Sequence, residues 1–178
     1  MRIGCQTEDR PMIARVIPLA GYAPADRVLH LVDLENLAAG RFDPDALKAA
    51  RDRYRMGASP APHDHIVVAV NPRLAVTAGG LFPGARVRSA RGPDGADLEL
   101  LDHVANTAWI AARYARIFVG SGDHIFESVA RRFRRLGITV QVISRRRSLS
   151  RALARSSAHV APLPIPAPRR LDGEVRAA

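Results

Sequence analysis

The chain has few of the residues on which several classes of site depend. Its 178 residues include one cysteine, Cys5, which excludes an internal disulfide and a cluster of cysteine metal ligands. No stretch approaches the roughly 20 consecutive apolar residues of a membrane span. The apolar segment 12–23 is interrupted by Arg15 and Pro18, so it makes a poor signal-peptide core. We therefore expect a cytoplasmic protein with no membrane partner.

Two common phosphate-binding motifs are also missing. No Gly-x-Gly-x-x-Gly follows the first predicted strand, as a dinucleotide site would require. The segment 120–123, Gly-Ser-Gly-Asp, lacks the Gly-Lys-Ser/Thr of a P-loop. We expect no nucleotide cofactor.

The positive charge is carried almost entirely by arginine. The formal net charge is +10, and Lys48 is the only lysine. Nine arginines and no acid lie between residues 131 and 155. This run is either a solvated helix face and loop or a surface that binds nucleic-acid phosphates through guanidinium groups. The candidates for contact with an RNA backbone are Arg131, Arg132, Arg134, Arg135, Arg145, Arg146 and Arg147.

The order of patterns predicts one α/β domain at 26–163, between a flexible leader at 1–25 and a disordered tail at 164–178 that contains proline and arginine. Strands are predicted at 28–32, 66–70, 85–90, 117–120, 138–144 and 159–163. Helices are predicted at 43–56, 73–78, 97–114, 123–136 and from 148. Trp109 and Phe133 are expected in the core. Alternating strands and helices imply a parallel sheet with right-handed crossovers.

Three aspartates fall where such a sheet places functional groups. Asp33 ends the first strand, Asp97 begins the helix after the third, and Asp123 follows the fourth. If strands one and four are neighbours, the three carboxylates converge at the carboxyl edge of the sheet. They would repel one another unless a divalent cation such as Mg²⁺ or Mn²⁺ lay between them. That arrangement suits hydrolysis of phosphodiesters. Alternatively, Asp97 and Asp123 are ordinary residues of helix N-termini.

The segments that contain these aspartates are 32–36 (VDLEN), 92–102 (GPDGADLELLD) and 119–144. Together they resemble the three motif regions of NYN domains, which are PIN-like ribonucleases. The resemblance implies a three-layer α/β/α fold with a central parallel sheet in the order 3-2-1-4-5, Mg²⁺ or Mn²⁺, and cleavage of RNA. It assigns catalytic metal binding to Asp33, Asp97 and Asp123, and it assigns positioning of substrate or water to Asn36 and Ser121.

The sequence departs from the family pattern at two places. Where the family often has a second aspartate after the Ser-Gly-Asp turn, this chain has Ile125. The nearest candidate for a further acid on the central helix is Asp102, and Glu35 is a candidate to supply the missing charge from the first strand. Asn71 ends the second strand and is a candidate to line the same edge.

Three functions remain open at this point. The first is a metal-dependent endoribonuclease, and the second is a weakly active or inactive RNA-binding or regulatory module with the same fold. The third is a phosphatase of the haloacid dehalogenase type. That chemistry needs a second aspartate two residues after the nucleophile and a lysine, whereas residue 35 is glutamate. Homo-oligomerisation is possible under each.

Overall fold

The computed structural model describes residues 27–165, so the leader 1–25 and most of the tail 164–178 lie outside it. Within that range six parallel strands form one sheet in the order β3-β2-β1-β4-β5-β6. The strands are β1 (Val28–Asp33), β2 (His65–Val70), β3 (Arg86–Ser89), β4 (Arg116–Gly120), β5 (Thr139–Ser144) and β6 (His159–Pro162). The predicted α/β class and strand order are confirmed, with β6 added beside β5.

Helices cover both faces of the sheet. They are α1 (Leu34–Leu37), α2 (Pro44–Ala58), α3 (Ala75–Leu81), α4 (Gly95–His103), α5 (Thr107–Ala111), α6 (Glu127–Arg135) and α7 (Arg151–Ser156). Asp43, at the start of the helix predicted at 43–56, caps α2, since its carboxylate accepts the Ala46 N–H at 2.8 Å. No helix between residues 27 and 165 is long and apolar enough to cross a bilayer.

The core has two parts, one on each face of the sheet. In β2, Val67 and Ala69 belong to the core cluster that includes residues of α4 and α6, whereas Val68 and Val70 belong to the cluster that includes residues of α2 and α3. Alternate residues of one strand are thus buried on opposite sides, which explains why the strand reads as a continuous apolar run. The three-layer α/β/α arrangement follows.

The long helix predicted at 97–114 is two helices. After α4 ends at His103 the chain turns, and Asn106 caps α5 by accepting the Trp109 N–H at 3.0 Å. Periodicity continues across the break because Leu101 and Ile110 both pack into the same core. Trp109 is 40% exposed, so its predicted place in the core is wrong, whereas Phe133 is fully buried as predicted.

Helix α3 extends beyond the predicted range of 73–78, through two glycines. Gly79 and Gly80 lie inside the helix, which continues until Phe82 is buried against α2 and β2. Burial of a large aromatic side chain outweighs the cost of about 1 kcal/mol for each helical glycine. Tertiary packing therefore decides this boundary.

Candidate metal and nucleic-acid site

Asp33 is the last residue of β1 and is almost completely buried. Its Oδ1 accepts the Asn36 N–H at 3.0 Å, which caps α1. Its Oδ2 accepts the Ser121 hydroxyl at 3.2 Å, from the segment after β4. Because β1 and β4 are neighbours, this bond joins the carboxyl ends of two central strands. The Asp33 carboxylate is thereby held in one orientation.

Asp97 lies in the first turn of α4 and is 8% exposed. The helix can begin this close to β3 because residue 95 is glycine: a Cβ there would lie 2.9 Å from the Ala90 carbonyl oxygen. Asp97 Oδ1 is buried and has no hydrogen-bond partner among the described residues. An unpartnered buried carboxylate oxygen costs free energy, so this atom points to a missing ligand.

The two carboxyl groups interact directly. Burial is the main reason that the pKa of Asp97 rises to about 8, and the negative charge of Asp33 raises it further. Burial also raises the pKa of Asp33. The negative charge of Asp33 favours the protonated form of Asp97, so Asp97 is the carboxyl that carries a proton at neutral pH. At neutral pH one proton offsets the repulsion of this pair.

The turn between β4 and α6 is hydrogen-bonded to Asp33 through Ser121. Asp123 N–H donates to the Ser121 hydroxyl oxygen at 3.2 Å, so Ser121 bridges Asp33 and this turn. Asn36 Oδ1 accepts the Gly122 N–H at 3.2 Å. Asn36 and Ser121, which were predicted to position substrate or water, thus orient the carboxylates and the turn that carries Asp123.

Asp123 is near the pair, but its own carboxylate is engaged elsewhere. Its Oδ1 accepts the Ile125 N–H at 3.0 Å, which caps a 3₁₀ turn at His124–Phe126, and it lies 2.8 Å from His124 Nδ1. Its charge contributes to the raised pKa of Asp97, which shows that the two are within electrostatic reach. The structure therefore brings all three predicted aspartates to one edge of the sheet, where Asp33 and Asp97 line one cleft and Asp123 lies outside its lining.

The site suits a divalent cation that is held by two carboxyl groups and not by a larger set of protein ligands. Within residues 27–165 no group of three or more His, Cys, Asp or Glu side chains is arranged to hold a metal ion. Mg²⁺, however, commonly uses one or two carboxylates and takes its other ligands from water and substrate phosphates. Two buried carboxyls suit that mode, since Asp97 Oδ1 has no partner among the described residues and a cation would relieve the repulsion that raises the Asp97 pKa. The three-aspartate ligand set stays a prediction.

The remaining acids have other partners. Glu35 lines the cleft and accepts the N–H of Asn71, so these two residues join the ends of β1 and β2. Asp102 does not line the cleft; its exposed carboxylate is 2.7 Å from Arg88 Nη2. Lys48, which a phosphatase of the haloacid dehalogenase type would need beside Asp33, is exposed on α2 and lies 3.7 Å from Asp52.

The predicted RNA-contacting arginines lie at opposite edges of the sheet. Arg145, Arg146 and Arg147 follow β5 at the carboxyl edge, and Arg145 Nε donates to the Asn36 carbonyl at 2.8 Å. The α6 arginines lie toward the amino edge, because α6 returns the chain to the start of β5. Arg132, for example, donates to the carbonyl of Val104, just after the end of α4.

Two cleft residues were missed by the sequence reasoning. The cleft has a volume of about 300 Å³, and Asp94 and Phe42 line it together with Asp33 and Asp97. Asp94 has a left-handed backbone (φ 57°), and its charge helps to raise the pKa of Asp97. The Pro-Asp-Gly turn at 93–95 was a signal for this residue. Phe42 is exposed at 54% and had no such signal.

Comparisons with known proteins establish the fold alone. No protein-family model matches the chain, and no curated protein matches it. The structure is similar to a crystal structure of a protein of unknown function from Vibrio parahaemolyticus, with a TM-score of 0.55 and 17% identity. The similarity covers 78% of this chain and 93% of that chain. Function must therefore be argued from the site.

Proposed function

We propose that the chain is a cytoplasmic, metal-dependent endoribonuclease that uses Mg²⁺ or Mn²⁺. The observation that carries this proposal is the buried Asp33–Asp97 pair, in which one carboxylate oxygen has no partner among residues 27–165. Such a pair at the carboxyl edge of a parallel sheet suits a hard cation that also binds a phosphate. The resemblance of the three motif regions to NYN domains supports RNA as the substrate.

Asp33 and Asp97 would hold the cation, and Asp123 would add negative charge nearby. A bound cation would supply a polarised phosphate oxygen and an acidified water. Ser121 keeps the Asp33 carboxylate oriented through its 3.2 Å hydrogen bond. The Arg145 side chain, anchored on the Asn36 carbonyl, places positive charge at the rim of the cleft, where a phosphate would enter.

The exposed Phe42 ring supports nucleic acid over a small phosphate ester. It lines the same cleft as the aspartates. An aromatic ring beside a phosphate-binding cleft can stack on an unpaired base, which is worth about 1–3 kcal/mol per base. The cleft thus offers one surface for a base and another for the phosphate.

Cleavage of a mixed RNA pool tests this function. With Mn²⁺, the full-length wild-type protein is expected to shorten the pool, and EDTA is expected to stop the reaction. Asp33→Asn should slow cleavage by at least about a hundredfold, because loss of even an outer-shell partner of a metal ligand costs about 10- to 100-fold. Asp102→Asn is the matched control, since Asp102 lies outside the cleft. An intact pool, or equal rates for wild type and Asp33→Asn, would contradict the proposal.

A second candidate is a non-catalytic RNA-binding module. Two observations favour it: no group of three potential ligands is found within residues 27–165, and Ile125 packs against the core where the family often has an acid. This reading predicts that the protein binds RNA without shortening it. Calorimetric titration with Mn²⁺ separates the two proposals. The nuclease proposal requires Mn²⁺ to bind wild type and not Asp33→Asn, whereas the binding-module proposal does not require Mn²⁺ to bind.

A further inference from the structure

A second cleft adjoins the acidic one and is lined by arginine. It has a volume of about 420 Å³, and Arg145 lines both clefts. Its other basic residues are Arg53 on α2 and Arg146 and Arg147 after β5. The segment 162–165, Pro-Leu-Pro-Ile, forms an apolar wall. We call these eight residues the arginine groove.

The walls of the arginine groove are held in place by the fold. The Leu163 N–H donates to the Ser144 carbonyl at 2.7 Å, which ties the apolar wall to the end of β5. Pro164 lies directly against α2, where a Cβ on Gly57 would be 3.2 Å from the proline Cδ. Ile165 stays 83% exposed. The groove therefore presents an apolar surface beside four arginine side chains, of which Arg145 is held by its bond to the Asn36 carbonyl.

The arginines of the groove lack counterions within residues 27–165. None of the four forms an ion pair there, whereas Arg88 and Arg131, for comparison, pair with Glu99 and Glu127. Arg53 Nε is buried and has no hydrogen-bond partner among the described residues. Arg51 Nε and Arg132 Nε, outside the groove, share this feature, so it is the lack of ion pairs within residues 27–165 that marks the groove as a surface for an anion.

We infer that the arginine groove holds the backbone of single-stranded RNA, next to the phosphodiester that enters the acidic cleft. This inference rests on the proposed function for its substrate. Guanidinium groups bind phosphates bidentately, and Arg145 makes the path continuous from one cleft to the other. The apolar wall contacts base faces, which are accessible only in an unpaired strand.

The same geometry excludes the arginines of α6 from this path. They lie toward the amino edge of the sheet, on the far side of the core from the acidic cleft. The RNA therefore crosses the β5–β6 side of the molecule, and Arg53, which is remote from the arginine run in sequence, takes part. The basic run is thus two surfaces, of which one binds the substrate.

The test is binding in EDTA of a fluorescein-labelled 12-nucleotide RNA, alone or annealed to its complement. The single strand is expected to bind at least about tenfold more tightly than the duplex. Arg53→Ala should weaken binding about tenfold. Its matched control is Arg55→Ala, an exposed arginine on the same helix that does not line the groove. Thermal melts confirm that both variants are folded.

A double substitution of exposed residues avoids any folding defect. Arg146→Ala/Arg147→Ala should lower the slope of log affinity against log salt by about 1.4, which is about 0.7 for each lost phosphate contact. Arg134→Ala/Arg135→Ala removes the same charge at the opposite edge and should change the slope less. Equal losses for Arg53→Ala and Arg55→Ala, equal slopes for the two double variants, or equal binding of duplex and single strand would each overturn the inference. Because no metal is present, the result does not depend on cleavage.

Discussion

Asp97→Asn is expected to make the metal-free protein more stable at neutral pH and to remove its response to Mn²⁺. In the unfolded chain the Asp97 carboxyl has an ordinary pKa, whereas in the fold that pKa rises to about 8, mainly through burial. Folding at pH 7 must therefore keep the carboxyl protonated. Asparagine removes this cost, and its amide can donate to Asp33. We expect a gain of about 1–3 kcal/mol, where one pKa unit corresponds to about 1.4 kcal/mol.

The same pKa shift fixes the sign of the pH dependence. Between the unfolded and folded pKa values the native state binds more protons, so stability falls as pH rises and levels off above about pH 8. Asp97→Asn should lack this decline. The free energy of unfolding should be compared between pH 7 and pH 9. Burial lowers the pKa of His103 to about 4, so His103 makes stability rise with pH only below pH 7. Urea denaturation in EDTA measures the free energy of unfolding of wild type and of Asp97→Asn at each pH.

Asp102→Asn is the matched control on the same helix, because its carboxylate is exposed and pairs with Arg88 at the surface. It should change the free energy of unfolding by at most about 0.5–1 kcal/mol and should keep the Mn²⁺ response. A hundredfold excess of free Mn²⁺ over Kd should stabilise wild type by about 2.7 kcal/mol. The account is wrong if Asp97→Asn is less stable than wild type at pH 8 or is stabilised equally by Mn²⁺.

Gly122→Ala is expected to damage both stability and cleavage. A Cβ on residue 122 would clash with the Ser148 carbonyl oxygen, a backbone atom that cannot rotate away. The Gly122 carbonyl also accepts the Ser150 N–H at 2.8 Å, so the turn between β4 and α6 is joined to the segment between β5 and α7. We expect a loss of about 1–3 kcal/mol, as for other overpacked sites. Urea denaturation measures it.

The cleavage rate of Gly122→Ala should fall by more than the loss of folded protein alone would cause. Moving the turn displaces Ser121, which orients Asp33, and a shift of about 1 Å at a reacting centre can cost about a hundredfold in rate. Gly80→Ala is the control: Gly80 lies in α3 with open space around its missing Cβ. That variant should be neutral or up to about 1 kcal/mol more stable. If the two alanine variants have equal stability and activity, the packing argument for Gly122 fails.

Much of the fold could be predicted because its signals are local. The apolar run at 66–70 predicts a strand buried on both faces. Gly137 predicts the end of α6, and it has the left-handed backbone (φ 77°) that glycine adopts there. The meeting of Asp33 and Asp97 could also be predicted, because parallel strands bring their carboxyl ends to one edge. These inferences need only the pattern and the strand order.

The details of the site depend on non-local packing, which the sequence pattern does not contain. Whether Asp123 presents both oxygens to the cleft depends on the 3₁₀ turn that uses its Oδ1 as a cap. The separation of Arg132 from Arg145 depends on the direction of α6, which reverses between two parallel strands. Arg53 joins Arg145 only because α2 crosses to the segment after β6.

A crystal of the full-length protein soaked in millimolar Mn²⁺, with diffraction collected at a wavelength where manganese scatters anomalously, tests whether Asp33 and Asp97 hold a cation. We expect an anomalous peak in contact with the carboxyl groups of Asp33 and Asp97 in the wild-type protein, and no such peak in Asp97→Asn. A wild-type crystal without a peak at this pair would contradict the proposed metal site.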